Sequence, residues 1–482
     1  MDDTTSALPP VPRADRTAFS SAASAIPISA EPCEWALFGL LIAGLAWVPL
    51  WHASTDPFAW GVNAILFPGL VAVYEISLLA RGRPHPVGLR ALALPVGLWA
   101  AVVVWILLQD STWVGALVGA PIWRTASHEL AKPLAASVSI DRDLTTLALL
   151  RLLTASSAFW LALQLCRRPD RAALLVGAVA AIACVYALYG LAEMRASHAS
   201  FVASTFINRN AFATYAGIGL VAFWGLILQA YRRGVIDGAG ALRTRVASWI
   251  DTTGRAGAPL IAGAAVALAA LLLTGSRGGA VATATGLFTT GALALGAGRG
   301  RPGVPAALVV ACALLVGVAL LAFGNALVAS LADRGVSDAN RLAVYRLTLR
   351  SILDRPLLGY GYGTFRDVFP LFRDRSLPVQ GIWGQAHDTY LELFQGLGLL
   401  FGTLFLIAVA TLVRRSVSGA LARRENGLAP LVAAGAAALV GVHALVDFGL
   451  QIQAVALTFA ALLGAGVAQS ASSRVALEDS ST

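Results

Sequence analysis

The chain has 482 residues, 57% of them apolar and 13% charged, against about 45–50% and about 25% in ordinary soluble domains. With a mean hydropathy of +0.73, this excludes a disordered chain, a secreted disulfide scaffold and a soluble enzyme, and it leaves room for about a dozen spans of ~20 residues. A formal charge of +9 raises nucleic acid as a partner, but basic residues in so apolar a chain belong in loops beside anionic lipid headgroups.

Residues 1–32 hold Pro9, Pro10 and Pro12 among many Ser, Thr and Ala, with no short apolar stretch after a basic start; this predicts a disordered cytoplasmic tail and not a cleavable signal. Apolar runs follow at about 35–51, 58–80, 91–109, 144–166, 172–193, 211–231, 258–275, 279–297, 303–330, 389–413, 428–447 and 450–469. The predicted fold is all-α, a polytopic membrane helix bundle of about 12 transmembrane helices. Spans 1–9 lie within residues 33–330, a large and partly helical outer loop occupies 331–388, spans 10–12 lie within 389–469, and residues 470–482 form a second tail. Cys33, Cys166, Cys184 and Cys312 sit in or beside apolar segments without CxxC spacing and read as small core residues.

The loops test the count. Arg81, Arg83 and Arg90, then Arg167, Arg168 and Arg171, then Arg232 to Arg255, then Arg299 and Arg301, then Arg414 to Arg424 fall in alternate loops, which places both termini in the cytoplasm. The late outer loop nevertheless carries eight arginines. Long loops translocate largely regardless of charge, so the topology stands and those arginines need a separate explanation. Within this loop Leu342, Tyr345, Leu349, Ile352 and Leu353 fall at helical spacing as one stripe, flanked by Arg341 on one edge and Arg346 and Arg350 on the other. That pattern predicts a basic amphipathic helix at the outer membrane surface, or a helix docked on the bundle with solvated arginines.

Ionisable residues inside a membrane are costly and mark function. Arg151 falls in the outer part of span four, Glu193 at the outer end of span five, Arg277 in the turn Thr274-Gly275-Ser276-Arg277-Gly278-Gly279, and His443 with Asp447 near the outer end of span eleven. Nearly all lie at one level. Glu75, near the inner end of span two, reads as structural. The glycine turn exposes amides and one guanidinium, a grip suited to phosphate, although a plain helical-hairpin turn fits equally. His443 and Asp447, four apart, share a helix face on which the carboxylate can orient the imidazole or pair with an arginine. Asn208-Arg209-Asn210 adds a cationic point, or a cap for the next helix. Gly359, Gly361 and Gly363 resemble a nucleotide-binding glycine run but lack a βαβ context and a Walker lysine, so they read as a turn packed against the bundle. His387, followed by Asp388, stands where span ten begins and suits a general base or an interfacial cap; no HExxH or second nearby histidine suggests a metal.

Taken together, the Gly-Arg-Gly turn, Asn340-Arg341-Leu342, Pro356-Leu-Leu-Gly-Tyr-Gly, His387-Asp388-Thr389-Tyr390-Leu391-Glu392, Asn208-Arg209-Asn210 and His443-Ala-Leu-Val-Asp447-Phe448 resemble the O-antigen ligase and polysaccharide polymerase superfamily over roughly residues 200–450. The resemblance implies an inverting, metal-independent glycosyltransferase without cofactor, in the bacterial inner membrane with its site facing the periplasm. Its partners would be an undecaprenyl-diphosphate-linked glycan donor, a lipid A-core or polysaccharide acceptor and membrane lipid, with no nucleic acid. By position, Arg277 and Arg341 correspond to arginines that hold the donor diphosphate, with Arg209 as a third, and His387 to the histidine that activates the acceptor. Arg346, Arg151, His443, Asp447 and Asp388 are supporting residues. The superfamily usually writes His-Asn or His-Ser where this chain has His387-Asp388. Ligase and polymerase share a donor site, so the motifs leave the choice open, with ligase favoured. A transporter or flippase is the rival from another class, but the charges gather at the outer surface and no half-to-half similarity is evident.

Overall fold

The computed structural model describes residues 32–237, 251–296, 339–377, 381–423 and 427–470. Both predicted tails, the ninth predicted span at 303–330 and Cys312 lie outside these residues. The described chain is helical and without strand: α1 (Pro32–Trp47), α2 (Pro57–Arg81), α3 (Ala93–Asp110), α4 (Thr112–Val118), α5 (Ile122–Glu129), α6 (Arg142–Leu165), α7 (Pro169–Ser197), α8 (Arg209–Asp237), α9 (Ala258–Leu273), α10 (Arg277–Gly296), α11 (Ala339–Asp354), α12 (Phe365–Phe372), α13 (Thr389–Ala422), α14 (Leu428–His443) and α15 (Gln453–Ser470).

Eight helices are long and apolar enough to cross a membrane: α2, α3 with the turn before it, α6, α7, α8, α10, α13 and α15. Three more, α1, α9 and α14, are equally apolar but only 16 residues long, roughly 24 Å at 1.5 Å per residue, short of a ~30 Å hydrocarbon layer. The described residues therefore hold eight full-length candidates and three short ones where the sequence predicts about twelve spans.

Several helix starts at one end of the bundle carry a side-chain cap. Asp56 accepts from Ala59 N, Asp141 from Leu144 N and Asp388 from Leu391 N, while Asn208 accepts from Asn210 N and Ser276 from Gly279 N. Each side chain satisfies an orphan amide, and the carboxylates also favour the positive pole of the helix dipole. At the opposite end α2 stops at Gly82, whose left-handed φ of 61° lets its N–H reach the last carbonyls.

α8 is the axis of the core, packed against α7, α9, α10 and α14, and α15 fills the space between α6 and α14. Small residues bring α10 and α14 close: a Cβ on Gly435 would lie 1.9 Å from Thr290 Oγ1. Glu75, set apart in the sequence as structural, accepts from Trp160 Nε1 at 2.7 Å and pairs with His85 at 2.7 Å. Cys33, Cys166 and Cys184 are free thiols packed in or against the core.

α13 is not one straight helix. Gly398 (φ 77°, ψ 168°) breaks it, and the glycine run fills the break. Tyr360 N donates to Gln395 O (3.0 Å), Gly361 N to Gly396 O (3.1 Å) and Leu399 N to Pro356 O (2.7 Å). From α3, Trp105 Nε1 donates to Leu397 O (3.0 Å), and Gln109 Nε2 to Gly396 O and Leu358 O (2.8 Å each). The carbonyls of residues 395–397 and the amide of Leu399 thus have partners outside the helix, the kind of support under which irregular backbone is tolerated at membrane depth. The expected close-packed turn is what the glycines make.

α11 docks on α13 through a face other than the leucine stripe. Leu342, Leu349 and Leu353 are exposed, whereas Val344, Leu347, Thr348, Ser351 and Ile352 are buried. The helix docks through a face that contains two hydroxyl residues, Thr348 bonded to Val344 O and Ser351 to Thr348 O. Self-satisfied hydroxyls bury readily, so a polar-looking face became the inner one. Its apolar side chains join Phe365, Phe369, Leu377 and Ala386 in a small separate core above the bundle.

Candidate functional site

The capped starts of α8, α10 and α13 converge on the segment from His443 to Phe448, where α14 stops and the chain turns back towards α15. The glycine-arginine turn lies on one side of it. A Cβ on Gly278, next to Arg277, would sit 3.1 Å from His443 Nε2 and 2.9 Å from Val446. Arg277 is half-buried at the first position of α10. The second side is α8: Asn210 Nδ2 donates to Asp447 Oδ2 (2.7 Å), and Thr214 Oγ1 lies 2.5 Å from His443 Nδ1. Arg209, one residue earlier, donates to Thr274 O (3.1 Å), its guanidinium 3.8 Å from the centre of the Phe201 ring. It therefore braces the turn that presents Arg277. From above, Arg341 of α11 donates to Val446 O (3.1 Å).

His387 closes the fourth side. Its ring meets Phe448 edge-on at 5.0 Å and Trp383 at 5.9 Å, while its carbonyl accepts from Tyr345 Oη at 2.9 Å. Its φ of 59° puts a non-glycine residue in the left-handed region, a strain of about 1–3 kcal/mol that persists only where surroundings impose it. Two residues on, Thr389 N donates to Ala444 O (2.8 Å) and Thr389 Oγ1 to Asp447 O (3.0 Å), tying the start of α13 to the same segment. Asp388 is the N-cap of α13, and partial burial pushes its carboxyl above the usual range, against the pull of the amides of Leu391 and Tyr390.

Below this ring lies a polar layer. Glu392 accepts from Ala386 N (2.5 Å) and Gln451 Nε2 (3.1 Å), and the Gln385 amide faces both its oxygens at 2.7 and 3.0 Å when its nitrogen points inward. Gln451 Oε1 accepts from Thr389 Oγ1 (3.1 Å). Arg151 donates to Gln451 O and lies 4.5 Å over the Trp60 ring, so it supports the layer from beneath. Among the described residues no three His, Cys, Asp or Glu side chains gather as a metal set.

The site residues expected from sequence separate cleanly in space. Arg341, His387, His443 and Asp447 meet at or belong to one segment; Gly278 brings Arg277 beside it, Asp388 caps the helix tied to it, and Arg209 and Arg151 reach the adjoining backbone of Thr274 and Gln451. Arg346 does not: it points outward to Ser376 Oγ (2.9 Å) and Asp374 (3.5 Å), where Arg350 joins it. Glu193 is exposed at the end of α7. The expected shared face of His443 and Asp447 is lost because α14 ends at His443, so each takes its own partner on α8. The motifs assign no role to Tyr345 or Glu392, although both fall in quoted segments, and none to Gln451 and Gln109, whose only signal is an uncharged amide at the margin of an apolar run.

Residues 262–407 match the O-antigen ligase family. The matched O-antigen ligase stretch runs from α9 to the middle of α13 and contains Arg277, Arg341, His387, Glu392 and the glycine run; Arg209, His443 and Asp447 lie outside it. The resemblance carried by the motifs therefore stands over this stretch, consistent with an O-antigen ligase-like superfamily. No curated protein sequence matches the chain.

Proposed function

We propose that the chain is an O-antigen ligase-like glycosyltransferase of the bacterial inner membrane. It moves a glycan from undecaprenyl diphosphate to a hydroxyl of lipid A-core, or of a growing polysaccharide, at the periplasmic face, with inversion and without a metal. Both termini are cytoplasmic. One observation carries this reading: Arg341, the backbone of Gly278 beside Arg277 and a strained histidine all meet the His443–Phe448 segment at one end of an apolar bundle, with Arg209 bracing the turn that carries Arg277.

The chemistry follows from the groups present. A departing diphosphate gains negative charge, which Arg277 and Arg341 offset in a partly desolvated setting, with Arg209 holding the turn that carries Arg277. The His387 imidazole takes the proton of the acceptor hydroxyl as that oxygen attacks the anomeric carbon and the bond from that carbon to the diphosphate oxygen breaks; undecaprenyl diphosphate departs, and the imidazolium then gives its proton to solvent. A site at the end of the apolar helices keeps the polyprenyl tail in lipid while the glycan stays in water.

Deleting the gene in its source organism should abolish long O-antigen on the lipid A-core and accumulate polymerised lipid-linked glycan; single repeats left on the core would instead indicate a polymerase. His387→Ala and Arg277→Ala should each fail to restore the wild-type glycan profile, while membrane levels match wild type. A normal profile from a well-inserted His387→Ala chain would sink the catalytic assignment.

A further inference from the structure

His387 cannot hold a left-handed backbone unaided; its ring lies edge-on to Trp383 and Phe448. Backbone bonds on either side of it help to impose that placement. Tyr345 Oη fixes the carbonyl of His387, and Glu392, one turn into α13, fixes the N–H of Ala386. Ala386 is fully buried in the small core above the bundle, so this amide is out of reach of water and depends on the carboxylate. The remaining capacity of Glu392 is taken up by Gln451 and the Gln385 amide, and Gln451 is in turn tied to Thr389 and Arg151. A carboxylate with two oxygens and several lone pairs is the one group at this point that accepts from all three donors together.

We propose that Glu392 is the positioning residue for His387: it locks residues 385–387 in the strained loop that aims the imidazole at the acceptor, without itself touching substrate. The inference rests on the reading of His387 as general base. It predicts a split in kinetics. Because Arg277, Arg209 and Arg341 are carried by α10, α8 and α11 and none of their contacts given above is to Glu392, the donor-binding groups stand apart from the clamp. Loss of the clamp should therefore lower kcat and spare the KM for the donor.

The test uses the full chain in lipid nanodiscs with a short polyprenyl-diphosphate-linked glycan, together with hydrogen exchange of the 383–388 segment. Glu392→Ala should reduce kcat by about tenfold or more, in line with the cost of small misplacements of a catalytic group, and change the donor KM less than about twofold. The Ala386 and His387 amides should exchange faster. Glu392→Gln keeps one oxygen for Ala386 N–H and should fall between the two in both readouts; it carries the test alone if Glu392→Ala does not accumulate. Unchanged kcat and unchanged exchange in either variant would overturn the clamp. An active His387→Ala chain with faster exchange in Glu392→Ala would instead remove the general-base reading and leave the clamp in place, so the two failures are distinguishable.

Discussion

At the scale of single residues, the position after His387 is the most informative departure from the superfamily pattern. Asp388 caps α13 through Leu391 N, and Asn serves this geometry as well as Asp. Burial, however, raises the Asp388 pKa above the usual carboxylate range, so the folded chain holds its proton more tightly than the unfolded one. A raised folded pKa contributes stability below the unfolded pKa and loses it as pH climbs through the folded value. Asp388→Asn escapes that loss. Its melting temperature in detergent should exceed that of the wild type at pH 8, and the gap should shrink as pH falls through the Asp388 titration towards about 4, the ordinary carboxylate value. A gap that widened on acidification would show that the aspartate gains from being charged. Asp388→Ala lacks the cap as well and should lose about 1 kcal/mol relative to Asp388→Asn at every pH.

At the scale of elements, the break in α13 and its glycine plug decide whether the outer segment can seat at all. Gly361 has φ 105°, and a Cβ there would lie 2.3 Å from Ser139 Oγ; at Gly359, with φ 66°, it would lie 2.3 Å from Gly396 O. Neither neighbour is the far end of a flexible side chain. Gly359→Ala should therefore unseat the plug from α13 and leave the Gln395 and Gly396 carbonyls without their loop donors, which a loss of thermal stability and faster proteolysis between residues 355 and 385 would reveal. A Gly359→Ala chain as stable and protease-resistant as wild type would refute this. The plug also shows what sequence could and could not reveal. Three alternating glycines marked a tight turn correctly, because positive φ and close approach demand glycine whatever the fold. The partner of that turn was hidden, since nothing in an apolar run around Gly396-Leu397-Gly398 distinguishes a broken helix from a flexible one. The buried face of α11 was hidden for a related reason: hydropathy counts Thr348 and Ser351 as polar, although each bonds within its own helix and can face inward.

At the scale of the whole molecule, hydropathy located nearly every apolar helix, while the convergence at His443–Phe448 depended on contacts between residues far apart in the chain, 105 positions for Arg341 and 237 for Asn210. Such contacts bear on topology. Arg355 donates to Val118 O and Val138 O, and Ile140 N to Tyr360 O, so the loop holding α4 and α5 and the loop after α11 stand at the same end of the bundle. Between them the described chain contains five apolar helices, α6 to α10, an odd number. Two loops on one side of a membrane require an even number of crossings, and the apolar run at 303–330 supplies the sixth in the sequence expectation. Cysteine mapping checks this directly. In a chain with Cys33, Cys166, Cys184 and Cys312 replaced by Ala or Ser, single cysteines at the exposed positions Glu129 and Arg375 should both react with a membrane-impermeant maleimide in intact cells. Cysteines at Arg83, in the turn after α2, and at Arg414, in the last turns of α13, both at ends where positive charge marks the cytoplasm, should react only after the inner membrane is opened. Opposite labelling of positions 129 and 375 would leave five crossings between them and remove the twelve-span count, and with it the cytoplasmic carboxyl terminus. Labelling of 83 and 414 from outside would invert the whole chain and place the arginine and histidine cluster in the cytoplasm, where a periplasmic glycan could not reach it.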